Sequence, residues 1–352
     1  MTTGASIPPG EPLRARTGRW VVLAVALVLS VIALIEAGRA LIPPAALRTA
    51  PRTVEVLPHQ GLLDVARFLA DQEVIRSRAA FVALAVVRGT ARSLKAGEYE
   101  IPRGASLLTT LQFLELGKVK PHLIVLPEGF RVRDLARQLE AAGLARALDV
   151  LRVAESPVFA RGLGIEASGV EGYLFPDTYQ VTKGMRVEEM LGRMIHRFRE
   201  KLATPETLAR ARARGLSLHE LLTLASIVEK EAVLPQERHL IAGVFWNRLK
   251  RDMPLQADPT VAYAVGKDGR APTRQDLQID HPFNTYLYRG LPPGPIANPG
   301  VAAVGAALAP AEVPYLYFVS VDDRKHHFSV TLEEHNQAVA RFRQHRARSG
   351  AL

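Results

Sequence analysis

Two glutamates close a stretch of sequence that reads as a helix with almost no polar face. In the run from Leu218 to Ala232, Leu218, Leu221, Leu222, Leu224, Ala225, Ile227 and Val228 point to every side. A helix that is apolar all round is a buried one. Ser217, with Glu220 three residues on, is a capping box that starts it. Pro235 disfavours helical geometry at Leu234, so the helix should stop near Ala232 or Val233. Glu229 and Glu231 therefore lie in its last turn. Two residues apart, they diverge by about 200° and cannot address one point. Glu231 shares its face with Leu224, Ile227 and Val228. The negative end of the helix and an apolar wall both disfavour a carboxylate, so both should raise the pKa of this acid. A carboxyl that keeps its proton near neutrality suits general-acid bond cleavage. The alternative is a pair of solvated helix-end residues bound to Lys230, Arg238 or Arg251, and the pattern alone leaves that open.

Other segments mix chemistry-bearing side chains with turn formers. Glu171-Gly-Tyr-Leu-Phe-Pro-Asp177 offers acids and aromatic faces, which hydrogen-bond and stack on sugars, or else a buried aromatic strand ending in a turn. Glu171 is the candidate second acid of a cleft, and Tyr173 a candidate contact. In Leu255-Gln-Ala-Asp-Pro-Thr260, Asp258 reads as a helix N-cap with Pro259 at N1. Gln256 is then a candidate ligand for an N-acetyl or hydroxyl group. Asn284 and Tyr286 are candidate contacts ahead of Gly290–Gly300, whose Gly/Pro content rules out helix or central strand and suggests a rigid surface loop. Asn298 reads more readily as an N-cap than as a contact. His326, His327 and His335 lie near Asp322 and Asp323, but adjacent residues on a strand face opposite ways, so no metal site is expected. The sequence has no cysteine, no Gly-rich phosphate loop ahead of a helix and no Gly-x-Ser-x-Gly elbow, and no cofactor is expected.

The elements that must hold these residues belong to an α+β chain of 352 residues. Its net charge is +10, carried by scattered Arg, and no nucleic-acid-binding motif accompanies it, so nucleic acid is not an expected partner. Residues 1–19 read as a cytoplasmic tail and 20–37 as a single transmembrane anchor. Its uncharged core, Trp20–Ile35, has 16 residues, against the roughly 17–25 that usually span a bilayer. Arg19 can snorkel and Trp20 suits the interface. A cleaved signal peptide, with Ala37 and Ala40 near the cut, is the rival reading. Flanking Arg are balanced at three on each side, but the short tail favours an exported C-terminal part.

Residues 38–51 read as a linker and 52–120 as a small α+β module, with the larger α+β domain over 121–347. Val56-Leu-Pro followed by Asp64-Val-Ala-Arg67 is echoed by Val125-Leu-Pro followed by Asp134-Leu-Ala-Arg137, which suggests a duplicated strand–helix unit. Helices are predicted at about 186–203, 218–232, 237–250, 300–309 and 332–347, with a hairpin pairing Tyr315–Val321 and His326–Val330.

Seven segments, in order, resemble the YceG-like endolytic murein transglycosylase family. They are Glu171–Tyr179, Ala225–Glu231, Val244-Phe-Trp-Asn-Arg-Leu249, Leu255–Val261, Asn284-Thr-Tyr286, Gly290–Gly300 and Tyr315-Leu-Tyr-Phe-Val319. The resemblance covers about 120–345 strongly, and the anchor and a LysM-like module at 52–120 more loosely. It implies a membrane-bound lytic transglycosylase on the outer side of the cytoplasmic (inner) membrane. Such an enzyme cuts the β-1,4 bond after N-acetylmuramic acid within nascent peptidoglycan strands and leaves 1,6-anhydro ends, which terminates elongation. Its partners would be peptidoglycan glycan strands, the membrane and cell-wall synthases. The second glutamate of Glu229-Lys-Glu231 would be the catalytic acid/base, and Glu229 a non-catalytic neighbour. A water-using muramidase and a non-catalytic wall-binding scaffold are the competing readings.

Overall fold

The computed structural model describes residues 13–267, 270–321 and 325–349. Most of the expected tail and the hairpin-turn residues Asp322 and Asp323 fall outside them. The chain is mixed α+β and divides into two compact units, residues 1–121 with 182–184, and the remainder.

The first unit begins with helix α1 (Leu13–Leu41) and a short α2 (Ala45–Thr49). Strand β1 (Arg52–Val56), helices α3 (Leu62–Asp71) and α4 (Arg78–Val87), strand β2 (Gly97–Ile101) and helix α5 (Leu107–Leu116) follow. The strands pair antiparallel from Arg52↔Ile101 to Val56↔Gly97. Alternation sends Val54, Val56, Tyr99 and Ile101 inward onto Val65, Leu69, Phe81, Leu111 and Leu114, all buried. Along α1, Trp20, Val21, Val22, Leu23, Leu27 and Leu29 are all exposed. No helix among the described residues is long and apolar enough to cross a membrane. The expected span is thus not met there, in keeping with an uncharged run one residue short of the usual minimum of about 17.

The second unit opens with β3 (Pro121–Val125), α6 (Val132–Ala141), α7 (Ala147–Ala154), α8 (Pro157–Gly162) and β4 (Thr178–Thr182), and β3 pairs with β4. This resembles the order of the first unit, where β1 and β2 enclose two successive helices, with α8 as an additional short helix here. Both leading helices have ten residues and are followed by a left-handed residue, Glu73 (φ 55°) after α3 and Gly143 (φ 67°) after α6. In each case the next residue's N–H returns to a carbonyl of the helix, Val74 to Leu69 and Leu144 to Leu139.

The larger remainder holds α9 (Val187–Lys201), α10 (Pro205–Ala213), α11 (Leu218–Glu231), α12 (Arg238–Lys250), α13 (Asp258–Ala264) and α14 (Val301–Leu308). The hairpin β5 (Tyr317–Ser320)/β6 (His326–Ser329) and α15 (Leu332–Ser349) complete it. The five helices expected from periodicity and caps all occur, within two residues at each end. Every residue of α11 from Leu221 to Val228 is buried, and α12 and α14 pack against this helix. Ser217 accepts from Glu220 N–H at 3.2 Å, and the Glu220 carboxylate accepts from Ser217 N–H at 2.8 Å.

The stretch before α14 corrects an expectation. Instead of lying on the surface, Pro295 to Gly300 are buried, with Ile296 in the main core. Buried loop backbone needs partners. Ile296 N–H donates to Ser226 Oγ (3.0 Å), Asn298 N–H to Phe130 O (2.9 Å), and Asn298 O accepts from Gly129 N–H (2.9 Å).

Candidate active site

The two carboxylates at the end of α11 have opposite surroundings. Glu229 accepts from Gly300 N–H at 2.9 Å, where α14 begins, and from Arg238 at 3.4 Å. Arg238 also lies 3.7 Å from Glu128, and Lys230 donates to Gly129 O at 3.2 Å. Glu229 therefore ties together the starts of α12 and α14 and the Glu128–Gly129 turn.

Glu231 points the other way, into a cavity of about 320 Å³. Its walls include Arg248, Gln256, Asp258, Tyr286, Phe318 and His326. Among the described residues, nothing forms a hydrogen bond or ion pair with the Glu231 carboxyl. Burial, and after it the charge of Asp258, push its pKa up to about 8. The group is half-buried, protonated at neutral pH and free to give its proton to something entering the cavity.

Part of the cavity wall is built by Arg248, a buried side chain in the last turn of α12. It donates to Leu316 O (2.7 Å), Pro254 O (3.0 Å), Leu255 O (3.0 Å) and Gln256 Oε1 (3.1 Å), and lies over the Tyr317 ring at 5.1 Å. One guanidinium thus pins β5 and the 254–256 segment to the same spot. Gln256 has a left-handed backbone (φ 51°), uncommon for a residue with a side chain, held by its N–H to Thr285 O at 3.0 Å. Tyr286 donates to Asp258 Oδ1 at 2.6 Å. His326 packs edge-on against Phe318 and meets Glu237 through Nδ1 at 2.7 Å.

Several sequence expectations change here. Asp258 does not cap α13: the cap position is Ala257, and the aspartate turns its carboxylate to Tyr286 and the cavity. Pro259 is second in that helix rather than first. Asn298 is no cap either, since Gly300 holds that place. Its amide accepts from Leu174 N–H (2.9 Å) and donates to Phe130 O (3.0 Å) and Glu171 Oε1 (2.7 Å). Glu171 does not join Glu231. It accepts from Val132 N–H (3.2 and 3.1 Å) at the start of α6 and borders a separate cavity. Burial pushes it up to about 8 against these bonds. Tyr173 is buried and shares a 2.8 Å hydrogen bond with His219 Nδ1. Asn284 is buried too, and its amide donates to Leu277 O and Ile279 O (3.1 and 2.9 Å) while accepting from Tyr286 N–H. It builds the loop that presents Tyr286. Of the expected contacts, Gln256 and Tyr286 share the cavity with Glu231. Glu171, Tyr173 and Asn284 do not.

The sequence pattern does not single out Arg248, and it favours capping for Asp258 over a place as a second carboxylate. Arg248 lies in the quoted Val244–Leu249 segment, but nothing in helical periodicity shows that an arginine in a last turn will fold inward.

One carboxyl at the end of a core helix, unpaired among the described residues and on the wall of a cavity with polar lining groups, is an arrangement that can give a proton to a polar molecule and take one back. The chain belongs to the YceG-like family, whose pattern it matches over residues 54–341. It is 34% identical to the endolytic murein transglycosylase of Bacillus subtilis over 294 residues, 79% of this chain and 81% of that protein. It is 33% identical to the protein of the same name from Streptococcus pneumoniae over 279 residues, 70% of this chain but only 50% of that longer one. A crystal structure of a yceG-like protein from Listeria monocytogenes superposes with a TM-score of 0.58 at 33% identity, covering 82% of this chain and 99% of the other.

Proposed function

We propose that this protein is an endolytic murein transglycosylase that cuts the β-1,4 bond between N-acetylmuramic acid and N-acetylglucosamine, with Glu231 as its acid and then its base. The observation that carries the reading is the Glu231 carboxyl, which lies on a cavity wall, is unpaired among the described residues and has its pKa pushed up to about 8 by burial. Family membership and the relatives' names point to the same activity.

In the reaction, the Glu231 carboxyl gives its proton to the glycosidic oxygen as the C1–O bond breaks through an oxocarbenium-like state. The resulting carboxylate takes the proton from the muramoyl 6-hydroxyl, whose oxygen closes on C1 as the 1,6-anhydro ring. The proton count balances without water, and one carboxyl serves both steps. Gln256 and Tyr286, which line the same cavity, would meet N-acetyl or hydroxyl groups of the bound sugar.

Asp258 on the same cavity wall favours one rival, a hydrolytic muramidase with two carboxylates. Product mass separates them. Glycan strands incubated with the full protein should yield anhydro-ended fragments one water lighter than hydrolytic ones, and Glu231→Gln should yield none. Hydrated ends from the parent would overturn the lytic reading.

A membrane-bound place for the enzyme is supported by α1, whose apolar side chains are exposed around its circumference and call for an apolar surrounding. The catalytic unit would then work on the outer face of the cytoplasmic membrane. The β1-α3-α4-β2 unit is consistent with a LysM-like module that grips glycan.

A further inference from the structure

A second cavity, of about 500 Å³, lies within the same unit as Glu231 and shares none of its lining residues. The same three elements supply both. Helix α11 gives His219 to one and Glu231 to the other, at opposite ends about 18 Å apart at 1.5 Å per residue. Helix α13 gives Tyr263 to one and Asp258 to the other. The Asn284 loop gives Phe283 to one and Tyr286 to the other.

The second cavity is furnished for a sugar. The Tyr263 and Phe283 rings sit 4.9 Å apart with a 39° tilt on its wall, Arg131 lies over Tyr263 at 5.1 Å, and Glu155 is exposed at the rim. Aromatic walls with a few charged and hydroxyl groups at the edge suit the apolar face and hydroxyls of a pyranose. His219 is part of the scaffold. Pro293 O can only accept, so Nε2 donates to it at 2.8 Å, and Nδ1 shares a 2.8 Å hydrogen bond with the Tyr173 hydroxyl. The ring locks α11 to the 293–295 segment.

We propose that this cavity is a remote glycan subsite, which holds sugars of the same strand some rings away from the bond cut at Glu231. The proposal rests on the glycan-cleaving function above. It gives the enzyme a physical reason to act inside long strands, because only a strand that reaches both cavities gains the second contact.

The test uses the full protein with two variants, Phe283→Ala and Ser168→Trp. Ser168 is an exposed rim position, where a bulky side chain obstructs the cavity without touching the core. Each is assayed on long strands and on the shortest glycan the parent cleaves. KM for long strands should rise about tenfold, the loss of one good stacking contact, with kcat unchanged and the short glycan cleaved as by the parent. If the folded Ser168→Trp protein keeps the parent's long-strand KM, or if both substrates suffer alike, the subsite is overturned. A parent that cleaves neither substrate would overturn the transglycosylase reading instead.

Discussion

Asp258 and Glu231 line one cavity, and the aspartate's charge adds to burial in holding the proton on the glutamate. The charge is a removable part of that effect. Activity that needs protonated Glu231 should fall as pH rises through about 8. In Asp258→Asn, which can still accept from Tyr286, the alkaline limb of kcat/KM against pH should move to lower pH. An unmoved limb would show that the two groups are not coupled.

The same shift has a consequence for stability. Glu231 titrates higher in the folded protein than in the unfolded chain, so the native state holds the extra proton between the ordinary glutamate range and about 8. Its contribution to stability is fully present below the unfolded pKa and is lost as pH rises through the folded one. Glu231→Gln cannot ionise. Its Tm should match the parent's near pH 4 and exceed it at pH 8–9, by roughly 2–4 °C for each kcal/mol. Thermal melts at both pH values read the difference directly.

Glu229 and Glu231 should fail in different ways. Glu231→Gln should lower kcat by about a hundredfold to ten-thousandfold, the usual worth of a general acid, in a protein that remains folded. Glu229→Ala removes the acceptor for Gly300 N–H and the partner of Arg238, and should cost about 1–3 kcal/mol of stability. Its kcat should stay much closer to the parent's at temperatures where it is folded. Paired denaturant melts and kinetics separate the two effects.

Arg248→Lys tests another part of the cavity wall. A lysine offers a single ammonium where the guanidinium reaches Leu316, Pro254, Leu255 and Gln256 together. Stability should fall by about 1–3 kcal/mol as buried carbonyls lose their donor, and activity should fall with it because Gln256 loses its anchor. Retained stability and activity in the lysine variant would mean that the fork is dispensable.

What could be read from the residues was what neighbours in sequence decide. The limits of α11 follow from the Ser217/Glu220 box and from Pro235, and the β5/β6 pair from strand patterning around a polar turn. Asp258 shows where such reading stops. An aspartate before a proline is a good local cap, but Tyr286, 28 residues away, offers the hydroxyl that its carboxylate takes. Asn298 likewise trades a local cap for three partners brought by Phe130, Glu171 and Leu174. Glu171 and Glu231 are both half-buried acids, and only the packed chain sends them to separate cavities.

Glu229 holds the last turn of α11 to Gly300 and Arg238, while Lys230 holds it to Gly129. Of the three successive residues that end the helix, the first two are moored and the third is not. The main chain beneath Glu231 is therefore held more firmly than a loop would be, and rotation about its own side-chain bonds is the main freedom left to its carboxyl. In the proposed reaction, an entering substrate then has few positions of the proton donor to select among, and little conformational freedom would be surrendered as the acid engages the bridging oxygen.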